Sequence, residues 1–209
     1  EEVRARRALL DQAAAKLVED GLAQWSGEDP ARGVRVLGAE VGLSPETLQF
    51  AYNANGKPTL ADWREGASFN LSHSHGLAAL AMCEATVGAD IERLGAVHED
   101  VAQRFFSPVE AAVVQSTPEA DRAATFYRFW TAKEAFLKAL GTGFTQASDS
   151  FTVSYAVEGP PRLVETPWLE GAPEDWSFEH FAPVPNFMGA IAVRAAGRQL
   201  RMTTRFWIS

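Results

Sequence analysis

One stretch limits the folds open to this chain more than any other. Residues 125–140 carry the longest helical pattern in the sequence, and Gly141 closes it. Around this helix, shorter helical and strand patterns alternate. Residues 4–17 repeat apolar side chains at Leu9, Leu10, Ala13, Ala14 and Leu17, as a helix does. Residues 34–41 predict a second short helix ending near Gly42. Ser107-Pro108-Val109-Glu110 reads as a capping box with proline at the first helical position, a helix start. Strands are expected at residues 48–52, 69–72, 87–92, 151–157, 176–181, 189–193 and 199–207, with turns at 53–56 and 159–161. Residues 77–85 are too uniformly apolar for periodicity to choose between a buried strand and a short helix. A break is expected at residues 95–100. The two halves, split near residue 103, carry comparable elements. The reading is therefore α+β, as two pseudo-symmetric lobes, 1–103 and 104–209.

Composition removes several classes of function. Hydrophobic residues make up 46% of the 209 and charged residues 22%, enough for a core and unlike a disordered or fibrous chain. The net charge of -8 opposes wrapping nucleic acid or lying on an anionic membrane. Cys83 is the one cysteine, so no internal disulfide forms and no cysteine-rich zinc site exists; it is expected as a small buried residue. No run reaches the ~18 apolar residues of a membrane helix, and the opening Glu-Glu-Val-Arg is unlike a signal peptide. The expectation is a cytoplasmic monomer that binds neither nucleic acid nor membrane.

Four short constellations carry possible chemistry. In Asp90-Ile91-Glu92, on a strand, the two carboxylates point the same way and repel unless a cation lies between them. A hard divalent cation suits such oxygen ligands; taken alone, the two acids read first as a solvated strand face, and an acid/base pair needs more context. In the helix, Glu134 and Lys138 stand one turn apart above an apolar stripe of Phe126, Phe129, Trp130 and Leu137, and a surface ion pair has the same spacing. In Asn70-Leu71-Ser72-His73-Ser74-His75-Gly76, Ser72 and His73 are possible phosphate donors, whereas a metal site at His73 and His75 lacks a third ligand. Gly56-Lys57-Pro58 lacks the rest of a phosphate-binding loop and fits an exposed turn.

The order of these four changes their weight. Gly-Lys-Pro, Phe-Asn-Leu-Ser-His-Ser, Val-Gly-Ala-Asp-Ile-Glu and Phe-Trp-Thr-Ala-Lys-Glu-Ala-Phe-Leu-Lys-Ala-Leu-Gly follow one another between Gly56 and Gly143. Together they resemble the 4′-phosphopantetheinyl transferases of the larger, two-lobed Sfp-like type. The resemblance implies transfer of phosphopantetheine from coenzyme A to a serine of an apo acyl or peptidyl carrier protein, releasing 3′,5′-ADP, in a cleft between the lobes. It implies Mg2+, or Mn2+, held by Asp90, Glu92 and Glu134, with Glu134 also near the serine hydroxyl. Lys138 then reaches the pyrophosphate, and Lys57, His73, Ser72 and Lys133 hold coenzyme A, with His73 near the 3′-phosphate. Many relatives place Gly directly after the serine that matches Ser74, whereas here His75 intervenes, and it receives no role. The alternatives are a non-catalytic module that binds coenzyme A or a carrier protein, and another magnesium-dependent nucleotide phosphotransferase. Full retention of Asp90, Glu92, Glu134 and Lys138 opposes the first, and the missing phosphate loop opposes the second.

Overall fold

A computed structural model of the chain describes residues 31–61, 68–97, 99–142, 146–154, 160–198 and 201–204. Its described residues form an α+β fold of four α-helices and nine short strands. The helix expected at residues 4–17 lies outside them.

Helix α1 (Ala31–Val41) ends as predicted, with Gly42 at a φ of 73°. It buries Val34 and Leu37 against Leu48 and Phe69. Strands β1 (Phe50–Tyr52) and β2 (Pro58–Leu60) pair across a tight turn, and Phe50 and Leu60 join the same apolar cluster. The ambiguous run becomes β4 (Leu77–Cys83), a strand paired along its whole length with β3 (Ser68–Ser74). Pairing of Ser74 with Leu77 leaves His75 and Gly76 as a two-residue hairpin loop, both at positive φ (47° and 80°), as the right-handed twist of the strands requires. The residue that departs from the family pattern therefore fills a turn position. Cys83 is half-buried rather than buried.

Strand β5 (Val87–Arg93) begins the three-stranded sheet, with order β5-β9-β8 and all pairs antiparallel: β8 is Trp176–Phe181 and β9 is Phe187–Arg194. The expected break is shorter than predicted, because α2 (Glu99–Phe105) starts inside it; its Ala102, with Phe106 just beyond, is buried against Phe126 and Phe129. Residue 103 lies within this helix. The predicted capping box opens α3 (Pro108–Ser116): the Ser107 side chain accepts from the Glu110 amide, and the Glu110 carboxylate accepts from the Ser107 amide. Helix α4 (Glu119–Leu140) starts six residues before the predicted point, with Pro118 at its cap and Glu119 and Asp121 in its first turn, where the helix dipole favours acids. Gly141 ends it at a φ of 67°. Strands β6 (Thr152–Ser154) and β7 (Arg162–Glu165) form a short hairpin. Residues 201–204 are not strand, so the last predicted strand is not formed there; the rest of it lies outside the described residues.

The main core lies between α4 and the strands that follow it. Phe136, wholly buried, meets Phe151, Trp176 and Phe178 with ring centroids 5.0, 4.8 and 6.1 Å apart. A smaller cluster, Ala81, Ala85, Val87, Ala89 and Val193, joins the β3–β4 hairpin to the three-stranded sheet.

His180 of β8 lies against α4, where its Nε2 donates to the Arg128 carbonyl at 3.1 Å. Burial pushes its pKa down from 6.5 to about 4. The unfolded chain therefore binds this proton first. The stability tied to His180 is complete above pH 6.5 and is lost as pH falls towards 4. Between pH 7 and pH 5 this group alone is expected to remove about 2 kcal/mol. Urea denaturation of wild type and His180→Gln at both pH values checks this. The variant should lose less stability on acidification, and equal losses would contradict the assignment.

Candidate active site

Glycine fixes how the site is assembled. Gly88, Asp90 and Glu92 occupy alternate positions of β5 and share a face. A Cβ at Gly88 would stand 2.1 Å from the Ala135 carbonyl oxygen and 2.3 Å from the Ala139 nitrogen. Only a glycine lets α4 rest directly on the strand there. Ala135 and Ala139 are one helical turn apart, and Glu134 and Lys138 form the adjacent stripe. This contact brings together motifs more than 40 positions apart in the sequence.

Asp90 is 2% exposed. Its Oδ1 accepts from Lys138 Nζ at 2.6 Å and from Ser72 Oγ at 2.9 Å, and Lys138 also donates to Ser72 Oγ at 3.0 Å. The Lys138 side chain is 32% exposed, so this ion pair has one buried and one open end. Asp90 Oδ2 is buried and has no hydrogen-bond partner among the described residues. Glu92 Oε2 accepts from Ser74 Oγ at 2.8 Å. Burial, then the Asp90 charge, pushes the Glu134 carboxyl up to about 7; Lys138 opposes this and Glu92 adds to it. Glu92 is raised by burial and then by Asp90. His73 is lowered by burial and then by Lys138. Asp90, Glu92, Glu134, Lys138 and His73 thus share one electrostatic neighbourhood. Among the described residues, no three His, Cys, Asp or Glu side chains already stand as a metal cage.

The β3–β4 hairpin meets the free edge of β5 through side chains. Ser68 Oγ, Asn70 Oδ1, Ser72 Oγ and Ser74 Oγ accept the amide protons of Val87, Ala89, Ile91 and Arg93, at 2.8, 2.8, 3.2 and 3.2 Å. Each pair is 19 residues apart, so β3 and β5 run parallel and in register. The polar alternation of Ser68, Asn70, Ser72 and Ser74 was visible in the sequence, but its partner strand was not.

Three expected contacts with coenzyme A are placed otherwise. Lys57 is turned inward, and its Nζ donates to the carbonyls of Val87 at 2.9 Å and Ala139 at 2.6 Å. Burial lowers its pKa to about 8. With Asn53 and Asn55, whose amides both donate to the Gly141 carbonyl at 3.0 Å, it closes the C-terminal end of α4. A lysine suits that negative end of the helix dipole. Lys133 is 1% exposed, and its Nζ bonds Glu110 Oε1 at 2.9 Å, Glu110 Oε2 at 2.6 Å and the Phe151 carbonyl at 2.6 Å. All three of its protons are used inside the core. Ser72 is buried, and its hydroxyl serves Asp90 and the Ile91 amide. Lys57 and Lys133 are therefore structural ties, and Ser72 supports a carboxylate. Glu110, read only as a cap, also accepts from the Val153 amide at 2.7 Å and so joins α3, α4 and β6.

The family model for the 4′-phosphopantetheinyl transferase superfamily matches residues 86–196. These residues contain the two carboxylates of β5, the whole of α4 and the β8–β9 pair. The 4′-phosphopantetheinyl transferase HetI of Nostoc sp. is 34% identical over 177 residues, 82% of this chain and 70% of its own length. The 4′-phosphopantetheinyl transferase Sfp of Bacillus subtilis is 31% identical over 124 residues, 59% of this chain and 55% of its own. The crystal structure of Thermotoga maritima holo-[acyl-carrier-protein] synthase is similar over 53% of this chain and 63% of its own, at 22% identity and a TM-score of 0.43. The chain thus spans 70% of the length of HetI and little more than half of that of Sfp. With the family model covering more than half of the residues, the chain belongs to the 4′-phosphopantetheinyl transferase superfamily.

Proposed function

We propose that Asp90, Glu92 and Glu134 hold a magnesium ion while Lys138 and His73 meet the phosphates of coenzyme A. The reaction is transfer of 4′-phosphopantetheine from coenzyme A to a serine hydroxyl of an apo acyl or peptidyl carrier protein, with release of 3′,5′-ADP. One observation carries the reading of the site: Asp90 keeps a buried oxygen without a partner, beside two further carboxylates whose charge is disfavoured, next to a lysine that opens to solvent. A buried acceptor left unsatisfied is costly, and a cation removes that cost. The donor set is oxygen only, which suits magnesium, and water and pyrophosphate oxygens would complete the coordination. When bound, the ion supplies charge neutralisation at the pyrophosphate.

The residues of the chain do the rest. Lys138, anchored through Asp90 and Ser72, presents positive charge where the leaving phosphate gains negative charge. Glu134, raised to about 7, stands where a carboxylate can take the serine proton, directly or through a water, near neutral pH. His73, lowered by burial and by Lys138, offers a neutral N–H to the 3′-phosphate. The two-lobe division into 1–103 and 104–209 fits this reading, with Asp90 and Glu92 from the first part and Glu134 and Lys138 from the second. The same reading includes a monomer working in the cytoplasm. Among the described residues no helix is long and apolar enough to cross a membrane.

The test is release of 3′,5′-ADP from coenzyme A. It should require both an apo carrier protein and magnesium or manganese, and release that persists in excess chelator would refute the metal. His73 adds a ligand-specific prediction. His73→Ala should raise the KM for coenzyme A about tenfold or more while sparing kcat, since the lost contact is made equally in ground and transition states. Dephospho-coenzyme A, which lacks the 3′-phosphate, should bind the variant almost as it binds wild type. An equal penalty for both ligands would place His73 elsewhere.

A further inference from the structure

The family resemblance gives Ser74 no role and Ser72 only a phosphate contact, yet both hydroxyls engage a carboxylate and are aimed by β5 itself. Ser74 Oγ accepts the Arg93 amide proton at 3.2 Å and lies 3.0 Å from His75 Nδ1, while Glu92 Oε2 lies 2.8 Å away. A carboxylate only accepts, so the single hydroxyl proton of Ser74 points to Glu92. A serine oxygen has two acceptor sites, and the Arg93 amide and an Nδ1–H of His75 fill both. The hairpin loop that puts His75 at positive φ thereby sets its ring beside Ser74. Ser72 repeats the arrangement one step back: it accepts from Ile91 N and Lys138 Nζ and donates to Asp90 Oδ1. The first rung differs in one respect. Ser68 accepts from Val87 N but sends its proton to the Ala85 carbonyl at 2.7 Å, away from any acid.

We propose that Ser74 and Ser72 are positioning residues for Glu92 and Asp90, the side-chain ladder between β3 and β5 fixing which oxygen of each acid is engaged and how each carboxylate is turned. The inference rests on the magnesium reading of these acids. For Asp90 the consequence is already visible: with Oδ1 taken by Ser72 and Lys138, Oδ2 is the oxygen left over. Hydroxyl partners that orient metal-binding carboxylates influence affinity without touching the ion, and their loss costs about 10–100-fold.

Direct titration of the full chain with Mn2+, by calorimetry and by electron paramagnetic resonance, tests this without reference to turnover. Ser74→Ala should weaken Mn2+ binding about tenfold, and Ser74→Thr, which keeps the hydroxyl, should restore most of it. Ser68→Ala is the control. It removes a rung of the same ladder and should lower the denaturation midpoint like Ser74→Ala, but leave Mn2+ affinity within about twofold of wild type. Equal Mn2+ affinities in Ser74→Ala and Ser68→Ala would overturn the positioning role while leaving the metal reading standing. A folded wild-type chain that binds no Mn2+ would overturn the metal reading and this inference with it. If Ser74→Ala fails to fold, Ser72→Ala is read against the same Ser68→Ala control, with the same two outcomes.

Discussion

Truncating Lys133 to Ala is expected to cost the fold about 3–5 kcal/mol, the usual penalty for stripping one partner from a buried ion pair. Glu110 would keep a 1% exposed carboxylate with two amide donors but no cation, and the Phe151 carbonyl would lose its donor. The pair ties α3 to α4 and to the start of β6, so its loss loosens three elements at once. Lys133 Nζ also lies 4.1 Å from the centre of the Phe151 ring, a contact that vanishes with it. Urea denaturation at neutral pH gives the number. Replacing both residues together, as Glu110→Met with Lys133→Met, should recover part of the loss, because no buried charge is then left alone. The KM for coenzyme A of the folded Lys133→Ala fraction should match wild type. Unchanged stability with a raised KM would return Lys133 to the substrate.

Asp90→Asn should lower kcat at saturating coenzyme A by about 10²–10³-fold, the scale seen when one preorganised electrostatic group is removed from an active site. The amide keeps the shape and an acceptor for Ser72, but it removes the negative charge that holds Lys138 and the acid on which the metal depends. Stability should fall by no more than about 1–2 kcal/mol, because Lys138 is partly solvated and loses little when unpaired. Steady-state rates and a denaturation curve on the same preparation separate the two effects. A variant with near-normal kcat would place the chemistry away from β5.

What the sequence disclosed and what it hid divide along a physical line. Local signals were legible. Gly141 stops α4 because the last turn needs a left-handed residue, and Ser107 with Glu110 starts α3 by mutual capping. The Asp90–Glu92 spacing puts both acids on one face, and the structure shows that face turned to α4. Residues 77–85 were ambiguous because a uniformly apolar run has no polar period, although β4 is only half-buried along most of its length. Pairing with β3 decided it. Helix α2 was missed because its case rests on tertiary burial of Ala102, next to Phe106, against α4. The start of α4 was placed too late, although Pro118 and the acids after it mark a helix beginning.

The lysines were the hardest to read. A lysine beside a phosphate and a lysine inside a core carry the same letter, and the motif resemblance favoured the phosphate. Lys57 and Lys133 are instead drawn inward by carbonyls and a carboxylate that come from distant segments. Lys138, on the same helix as Lys133 but five positions on, keeps an open end at Asp90. The side-chain ladder was hidden for a related reason: four alternating polar residues on β3 announce a polar face, not that another strand's amides will dock on it.

The central claim is that the acids of β5 and α4, with a divalent cation, carry phosphopantetheine from coenzyme A to a carrier serine. The intact mass of apo acyl and peptidyl carrier proteins, after incubation with coenzyme A, magnesium and either wild type or Asp90→Asn, tests it most directly. The account predicts one phosphopantetheine added to at least one carrier by wild type, none in excess chelator, and a trace at most with the variant. Equal modification by the variant, or full modification by wild type in chelator, would contradict it.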